Sequence, residues 1–513
     1  MWERPDRIEA ELKNELTEST DPNDPTDPMD RMEPAEPMDR IEPADPIDRM
    51  DPVDPMLRMD PAEPREAFVC LCRIGPLFQA RHMRLRAGDP MRAELPDLGG
   101  YRSRSGYAGV GCVGRKVTVW AGQWTVDFEL NDEQRLFRQT LRDFADKEIV
   151  PVAAELERSG TYPAHIVAKL KELGLFGLNV PEEYGGLGAD RVCYALAFEE
   201  IARAWLGAAG LFGPHSVACW LIARNGTGDQ KNRYLPAMAS GDLRSGIALT
   251  EPGAGTDLQG IATTAVRDGD EYVVSGTKTW ITNARVAGVL PVLVKTTKAA
   301  KAHQGMSVLL VDTDSDGFTV SRDLPKLGYK GPETCELVLD QVRVPAANLL
   351  GGDEGRGLQQ ILNGLEIGRI NIAARAVGVA QAAYDAALGY ARERRAFGRP
   401  IADFQAIQLK LADMATEIQA ARLLTYWAAV RSQASDGRVD MEAGMAKMYA
   451  SEVALKCALE SMRIHGAYGY SAEFIVERLY RDAPLMAIGE GTNDIQRMVI
   501  ARSLVSGAGR LGW

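Results

Sequence analysis

The chain has 513 residues, 45% hydrophobic and 25% charged, a globular composition with length for about two to four structural domains. Its net charge of -12 argues against nonspecific nucleic-acid binding. No uninterrupted apolar run is long enough to span a bilayer, and the opening Met1-Trp-Glu-Arg-Pro-Asp6 brings acid and proline where a signal peptide needs an apolar core. Seven cysteines are scattered and odd in number, and Cys70-Leu-Cys72 lacks both the spacing and the second pair of a zinc knuckle. The expectation is a reduced, cytoplasmic, metal-free protein.

Residues 1–125 read as a low-complexity, disordered extension. From Pro28 a nine-residue unit recurs, as in Pro28-Met-Asp-Arg-Met-Glu-Pro-Ala-Glu36 and Pro37-Met-Asp-Arg-Ile-Glu-Pro-Ala-Asp45. Proline at this density removes amide donors and restricts the residues before it, and the unit has too little bulky apolar surface to offset the entropy of ordering. Arg65 to Trp124, rich in Arg and Gly, continues it. The extension is either an interaction tail or a segment without a part in catalysis.

Residues 126–242 read as an N-terminal α domain. Leu130, Leu136, Leu141 and Phe144 recur near helical spacing, and helical runs cover His165 to Leu175, Ala195 to Ala204 and Ser216 to Ala223. Over 243–352 the period switches to two, with Gly and Asp at the turns. Strands are expected at Gly246–Leu249, Tyr272–Thr282, Val289–Val294, Met306–Val311 and Cys335–Leu339, forming an antiparallel sandwich or barrel. Residues 353–513 return to long amphipathic helices typical of a bundle. The expected class is α+β, with helices, then sheet, then helices.

Four segments carry chemistry. Glu490 stands between two glycines in Ala487-Ile-Gly-Glu-Gly-Thr-Asn-Asp-Ile-Gln-Arg497, after an apolar run. Desolvation there would raise its pKa towards that of a useful base, whereas the alternative is a helix-start acid favoured by the macrodipole. Thr492, Asn493 or Asp494 is the expected N-cap, followed by a buried stripe of Ile495, Met498, Val499 and Leu504. Thr250-Glu-Pro-Gly-Ala-Gly-Thr-Asp257 is a small-residue loop whose amides and hydroxyls can hold phosphate or a ring edge, or a plain tight turn; without a βαβ unit it does not support a Rossmann NAD site. Lys278-Thr-Trp-Ile-Thr282 places a Trp on a strand, either covering a planar cofactor or buried in the sheet. Arg392-Glu-Arg-Arg-Ala-Phe-Gly-Arg-Pro400, ahead of Asp403-Phe-Gln405, is either a solvated turn or an anion clamp.

Taken in this order, Thr250–Asp257, Trp280-Ile-Thr-Asn283, Arg394-Arg-Ala-Phe-Gly398 and Glu490–Arg497 resemble the acyl-CoA dehydrogenase family, over about Val126 to Leu504. The resemblance implies an N-terminal α domain, a middle β domain and a C-terminal four-helix bundle, assembled as a tetramer or dimer. It implies FAD as cofactor, an acyl-CoA substrate and electron-transfer flavoprotein as partner. Ile247, Leu249, Thr250, Gly255 and Thr256 match the flavin and phosphate loop, and Trp280, Ile281 and Thr282 the strand against the isoalloxazine. Arg394, Phe404 and Gln405 match groups reaching FAD from a neighbouring subunit, to which Arg463, Ala467, Thr492 and Asp494 are added. The sequence departs from the family at Arg463–Ala467, where Gln and a Gly-Gly pair are commoner, at Ile247, often Tyr, and at Ala396, often Thr.

Glu490 matches the family's catalytic base. The position on the earlier bundle helix that bears the base in some members falls in Leu365-Glu-Ile-Gly-Arg369 on Gly368, which has no carboxylate. Thr256, Glu366, Arg369, Gly491 and Arg502 resemble groups contacting the CoA ester. The implied reaction is FAD-dependent α,β-dehydrogenation to the trans-2-enoyl-CoA, with the base's own amide and a ribityl hydroxyl stabilising a developing enolate. The alternatives are an acyl-CoA oxidase using oxygen and a catalytically silent flavin or CoA-binding assembly module.

Overall fold

The computed structural model describes residues 128–435, 438–507 and 509. The repeat and the rest of the expected extension over 1–125 lie outside the described residues.

The α domain comprises α1 (Asp132–Phe144), a π turn leading into α2 (Val150–Ser159), α3 (Ala164–Glu172), α4 (Arg191–Ala204), α5 (Leu206–Gly210), α6 (Gly213–Asn225) and α7 (Gly228–Ala239). Local chemistry sets several ends. Asn131 with Gln134, and Thr227 with Gln230, close capping boxes on α1 and α7, and Gly160 ends α2 in the left-handed conformation. Of the residues at helical spacing, Leu136 is 70% exposed while Leu141 is buried. The stretch Leu206–Asn225 is long and apolar enough to cross a membrane by length and composition, and most of it is buried in this core.

The β domain is one six-stranded sheet rather than a sandwich or closed barrel. It contains β1 (Thr264–Asp268), β2 (Glu271–Thr282), β3 (Val289–Lys295), β4 (Met306–Asp312), β5 (Phe318–Asp323) and β6 (Thr334–Pro345), in the order β4-β3-β1-β2-β6-β5. Neighbours are antiparallel except β1 and β3, which meet in parallel at Thr264 and Lys295 alone. Most of that edge of β3 is taken by the segment expected as a strand at Gly246–Leu249. It forms only the isolated parallel bridges Ser245–Val289 and Ala248–Val292. Period-two reading misses β1 and β5 because they bury almost nothing: Ala265 is the sole buried residue of β1, and β5 has none.

The C-terminal region holds α8 (Gly357–Glu393), the two-residue strands β7 (Arg395–Ala396) and β8 (Arg399–Pro400), α9 (Gln405–Ala434), α10 (Asp440–His465), α11 (Ile475–Ile488) and α12 (Asn493–Val505). The 37-residue α8 packs on α4 and α6 of the α domain and on α9, α10 and α11 of the bundle. One apolar core therefore runs from α1 through α11, and a second joins α6, α7, β3, β4 and the start of α8.

The apolar stripe expected on α12 is a correction. Met498 and Leu504 are exposed and Ile495 and Val499 half-buried; the helix instead buries Asn493 and Gln496. It docks on α10 through polar contacts, with Asn493 Nδ2 donating to Ser451 Oγ at 3.0 Å.

Candidate active site

Glu490 follows the C-terminus of α11 and precedes the cap of α12, where the Thr492 hydroxyl accepts from the Ile495 amide. Its backbone is left-handed, with φ of 56°, a conformation costing a non-glycine residue about 1 kcal/mol or more and kept only where surroundings impose it. Lys447 of α10, fully buried, imposes it. Its Nζ donates to the Ala487 and Gly491 carbonyls and to Asn493 Oδ1, each at 2.9 Å. Gln496 Nε2 adds bonds to the Glu490 and Gly491 carbonyls at 3.3 and 3.0 Å.

The carboxylate is aimed at α8. A Cβ on Gly368 would stand 2.7 Å from Glu490 Oε2, so a larger residue at 368 would displace the carboxylate from this position. Oε2 is buried without a hydrogen-bond partner. Burial pushes the carboxyl above the usual carboxylate range, while the charges of Arg369, Arg375 and Lys447 work against the rise. Among the described residues, no hydrogen bond from the Glu490 amide is made to the chain.

On α8 the two expected substrate contacts have structural employment. Both Glu366 oxygens are engaged, Oε1 by Ser432 Oγ and Oε2 by the Val439 amide, each at 3.0 Å, which clamps the connection from α9 to α10. Burial also raises the Glu366 pKa. Arg369 pairs with Asp440 at 2.8 Å, leaving its Nε without a partner. Gly491 adjoins Glu490, whereas Arg502 is exposed on α12.

The loop at Thr250 is shaped by a buried ion pair. Lys278 Nζ donates to Glu251 Oε1 at 2.8 Å and to the Leu249 carbonyl at 3.0 Å. The Glu251 carboxylate also accepts from the amides of Ala262 and Thr263. Burial pushes Lys278 down to about 8 against the pull of Glu251. Burial works against ionised Glu251 too, but the Ala262 amide and Lys278 hold it below the usual range. The Thr279 amide donates to the Thr250 carbonyl at 2.8 Å, fixing the loop beside β2. Lys278 lies on the inward face of β2 with Tyr272 and Val274, and a lysine at an inward parity is the signal that could have revealed this pair.

β2 is irregular between Lys278 and Ile281, and there Trp280 adopts φ of 62° and turns outward, 57% exposed. Of the two alternatives, the Trp buried in the sheet is excluded for this reason. Ile247, Thr250 and Thr282 are half-buried, Leu249 and Ile281 buried, and Gly255 and Thr256 exposed. An open indole beside a loop with hydroxyls and accessible amides fits a planar cofactor whose polar edge needs donors.

The remaining candidates lie elsewhere in the C-terminal region. Arg394 and Gln405 are exposed and Phe404 half-buried around the β7–β8 hairpin, whose tip residue Phe397 is 95% exposed. The Arg394 guanidinium lies 5.8 Å from the Tyr468 ring, and Arg399 4.3 Å from that of Phe404. Arg463 is exposed and paired with Glu460, Ala467 is exposed, and Asp494 pairs with Arg497 at 3.2 Å. Among the described residues no hydrogen bond or ion pair connects this group to Thr250 or Trp280.

Comparison with known proteins identifies the arrangement. Models of the N-terminal, middle and C-terminal domains of acyl-CoA dehydrogenase match residues 131–242, 246–342 and 355–505. The chain belongs to the acyl-CoA dehydrogenase family. It is 47% identical over 382 residues to the probable acyl-CoA dehydrogenase YngJ of Bacillus subtilis, covering 74% of this chain and all of that one. It is 39% identical over 377 residues to CarC, a subunit of the caffeyl-CoA reductase-Etf complex of Acetobacterium woodii, covering 73% and 99% of the two chains. The butyryl-CoA dehydrogenase structure from Megasphaera elsdenii superposes with a TM-score of 0.72 at 38% identity, over 74% of this chain and 100% of that one. The protein is an oxidoreductase of this FAD-dependent family.

Proposed function

We propose that the protein catalyses α,β-dehydrogenation of an acyl-CoA thioester to the trans-2-enoyl-CoA, with Glu490 as base and an electron-transfer flavoprotein as electron acceptor. The observation that carries this reading is the buried, unpartnered Oε2 of Glu490 facing the space left by Gly368. A thioester α C–H is a weak acid, so the base must be desolvated and the developing enolate stabilised at the same time. The raised pKa of Glu490 meets the first need. Its own amide is suited to donate to the thioester carbonyl and so meets the second.

The α proton passes to Glu490, and the hydride lost from the β carbon carries away the two electrons, leaving a carbon–carbon double bond. FAD, when bound, supplies the acceptor for that hydride. The chain would hold it with the Thr250–Thr256 loop, Trp280 and Thr282, while Lys278 and Glu251 keep the loop in shape. The name of CarC, from a reductase-Etf complex, supports an electron-transfer flavoprotein as partner. A base that takes the α proton in dehydrogenation returns it in reduction, so the electron partner sets the direction.

Anaerobic addition of short acyl-CoA thioesters to the flavin-loaded protein is expected to bleach the yellow oxidised-flavin absorbance, with the colour restored by an electron-transfer flavoprotein. Restoration by oxygen at the same rate would make it an oxidase. No bleaching with any thioester would leave a silent binding module.

The exposed group at Arg394, Phe404 and Gln405 belongs in the same proposal as a contribution to the FAD of a second copy. Binding and assembly are then thermodynamically linked. Arg394→Ala is expected to weaken FAD retention and the oligomer together, read by light scattering with and without added FAD. An unchanged oligomer holding full FAD would show that Arg394 only solvates a turn.

A further inference from the structure

Glu490 and Arg375 are opposite buried charges, each with an unsatisfied atom: Glu490 Oε2 and Arg375 Nε are buried without a partner. Arg375 is 4% exposed, two helical turns beyond Gly368 on the same face of α8. Its charge reaches Glu490, yet among the described residues the two form no ion pair. The other cations acting on Glu490 are Arg369 of α8 and Lys447 of α10. Arg369 is committed to Asp440, and Lys447 to its acceptors around the base loop. Arg375 is held by neutral groups instead. Its Nη2 donates to the Ala209 carbonyl at 3.1 Å, the Phe198 ring centroid lies 5.2 Å from the guanidinium, and the guanidinium also donates to the Tyr329 hydroxyl.

Tyr329 is itself anchored from other layers. It lies in the connection over 324–333 between β5 and β6, is 5% exposed and has φ of 55°, an uncommon backbone for an aromatic residue. Its amide donates to Asp482 Oδ1 of α11 at 2.6 Å, and the next amide, of Lys330, to Glu157 Oε2 of α2 at 3.2 Å. Both carboxylates are buried. A Cβ on Gly210 would come within 2.2 Å of the Tyr329 hydroxyl, so the ring is packed against the end of α5. In a low-dielectric interior opposite charges attract strongly, and closing the pair would satisfy both Arg375 Nε and Glu490 Oε2. A carboxylate so paired is a weaker base, its lone pairs engaged before substrate arrives. Resting on the dehydrogenase reading above, we infer that Tyr329 is a positioning residue for the base: by accepting from Arg375 it keeps the guanidinium off Glu490, leaving the carboxylate free for the substrate proton. The cation then balances the charge of the base from a distance without occupying it.

The test uses the flavin-loaded full chain and follows the protonated carboxyl band of Glu490 by infrared difference spectroscopy across pH, the band being identified by its loss in Glu490→Gln. Tyr329→Phe keeps the ring and frees Arg375 to close on the base. Its midpoint is expected about 1 pH unit or more below that of the wild type, since an opposite charge in contact favours the ionised form. Arg375→Gln is expected to move the midpoint the other way, because a charge that opposes the rise is gone. The double variant should follow Arg375→Gln alone, the hydroxyl having nothing left to hold. Turnover of Tyr329→Phe at high pH, where the base is ionised in every variant, is expected to fall ~10-fold or more, because the base is engaged and displaced. A tyrosine that only packs the loop would leave the infrared midpoint where it is. The midpoints need no turnover, so failure of the dehydrogenase reading, seen as absent bleaching, is distinguishable from failure of this inference. A Tyr329→Phe midpoint at or above the wild-type value, undiminished turnover beside a lowered midpoint, or effects that add in the double variant overturns the inference. If the phenylalanine variant does not fold, Tyr329→Met, which also lacks the hydroxyl, decides by the same midpoint.

Discussion

Glu490→Gln is expected to retain FAD and bind acyl-CoA while losing at least ~10²-fold in turnover, the usual worth of a general base. The amide keeps the shape that fits beside Gly368 and removes only the proton acceptor. Wild-type kcat/KM should rise with pH through the raised pKa of Glu490, since the ionised form takes the proton, and the variant should lack that limb. Stability responds in the opposite sense. A carboxyl whose folded pKa lies above its unfolded value contributes stability below the unfolded pKa and loses it as pH rises through the folded one. The glutamine variant should therefore resist denaturant at least as well as wild type, with an advantage that grows from about pH 4.5 upward. Stopped-flow bleaching and urea titrations at several pH values check both. Near wild-type turnover would move the base elsewhere. The first suspect, Glu366, is poorly placed because both its oxygens already accept hydrogen bonds.

What could be read from the chain alone follows the range of the interactions involved. The switch from helical period to period two and back reflects burial of successive residues against one layer, so the three-part α+β order was legible, as was a carboxylate between glycines after an apolar run. The shape of the sheet was not, because β1 and β5 bury too little to show a pattern and β3 shares its edge with the segment 245–248. The stripe on α12 was misread because that helix docks through Asn493 and Gln496, whose apolar neighbours stay near the surface. Glu366 resembled a substrate contact, but its partners at Ser432 and Val439 lie some seventy residues on, beyond any local pattern. Arg375 reads as one more helix charge until α4 and α6 close over it. Lys447 is the strongest case: a lysine in an alanine-rich helix, whose acceptors stand 40 to 46 residues away.

Lys447→Met tests whether that lysine sets the position and the basicity of Glu490. The substitution keeps the length of the side chain and removes a donor shared by three acceptors around the base loop. Leaving buried acceptors without a donor costs about 1–3 kcal/mol each, so a loss on the order of 3 kcal/mol is expected in urea unfolding. Gln496 still holds the Glu490 and Gly491 carbonyls, which should let the protein fold. With the clamp gone, Glu490 can relax from its left-handed backbone, and displacement of a base by about 1 Å is enough to cost ~10-fold or more in kcat. A purely structural role would end there. The charge of Lys447 also opposes the rise in the Glu490 pKa, so its removal should carry the midpoint of the pH–rate profile to higher pH. Burial brings Lys447 itself down to about 8, even against the charge of Glu490. The difference between wild type and variant should therefore be greatest below pH 8 and shrink above it, as the wild-type amine loses its charge. An unmoved midpoint with unchanged kcat would show that Gln496 alone holds the loop and that Lys447 serves only the packing of α10 against α12.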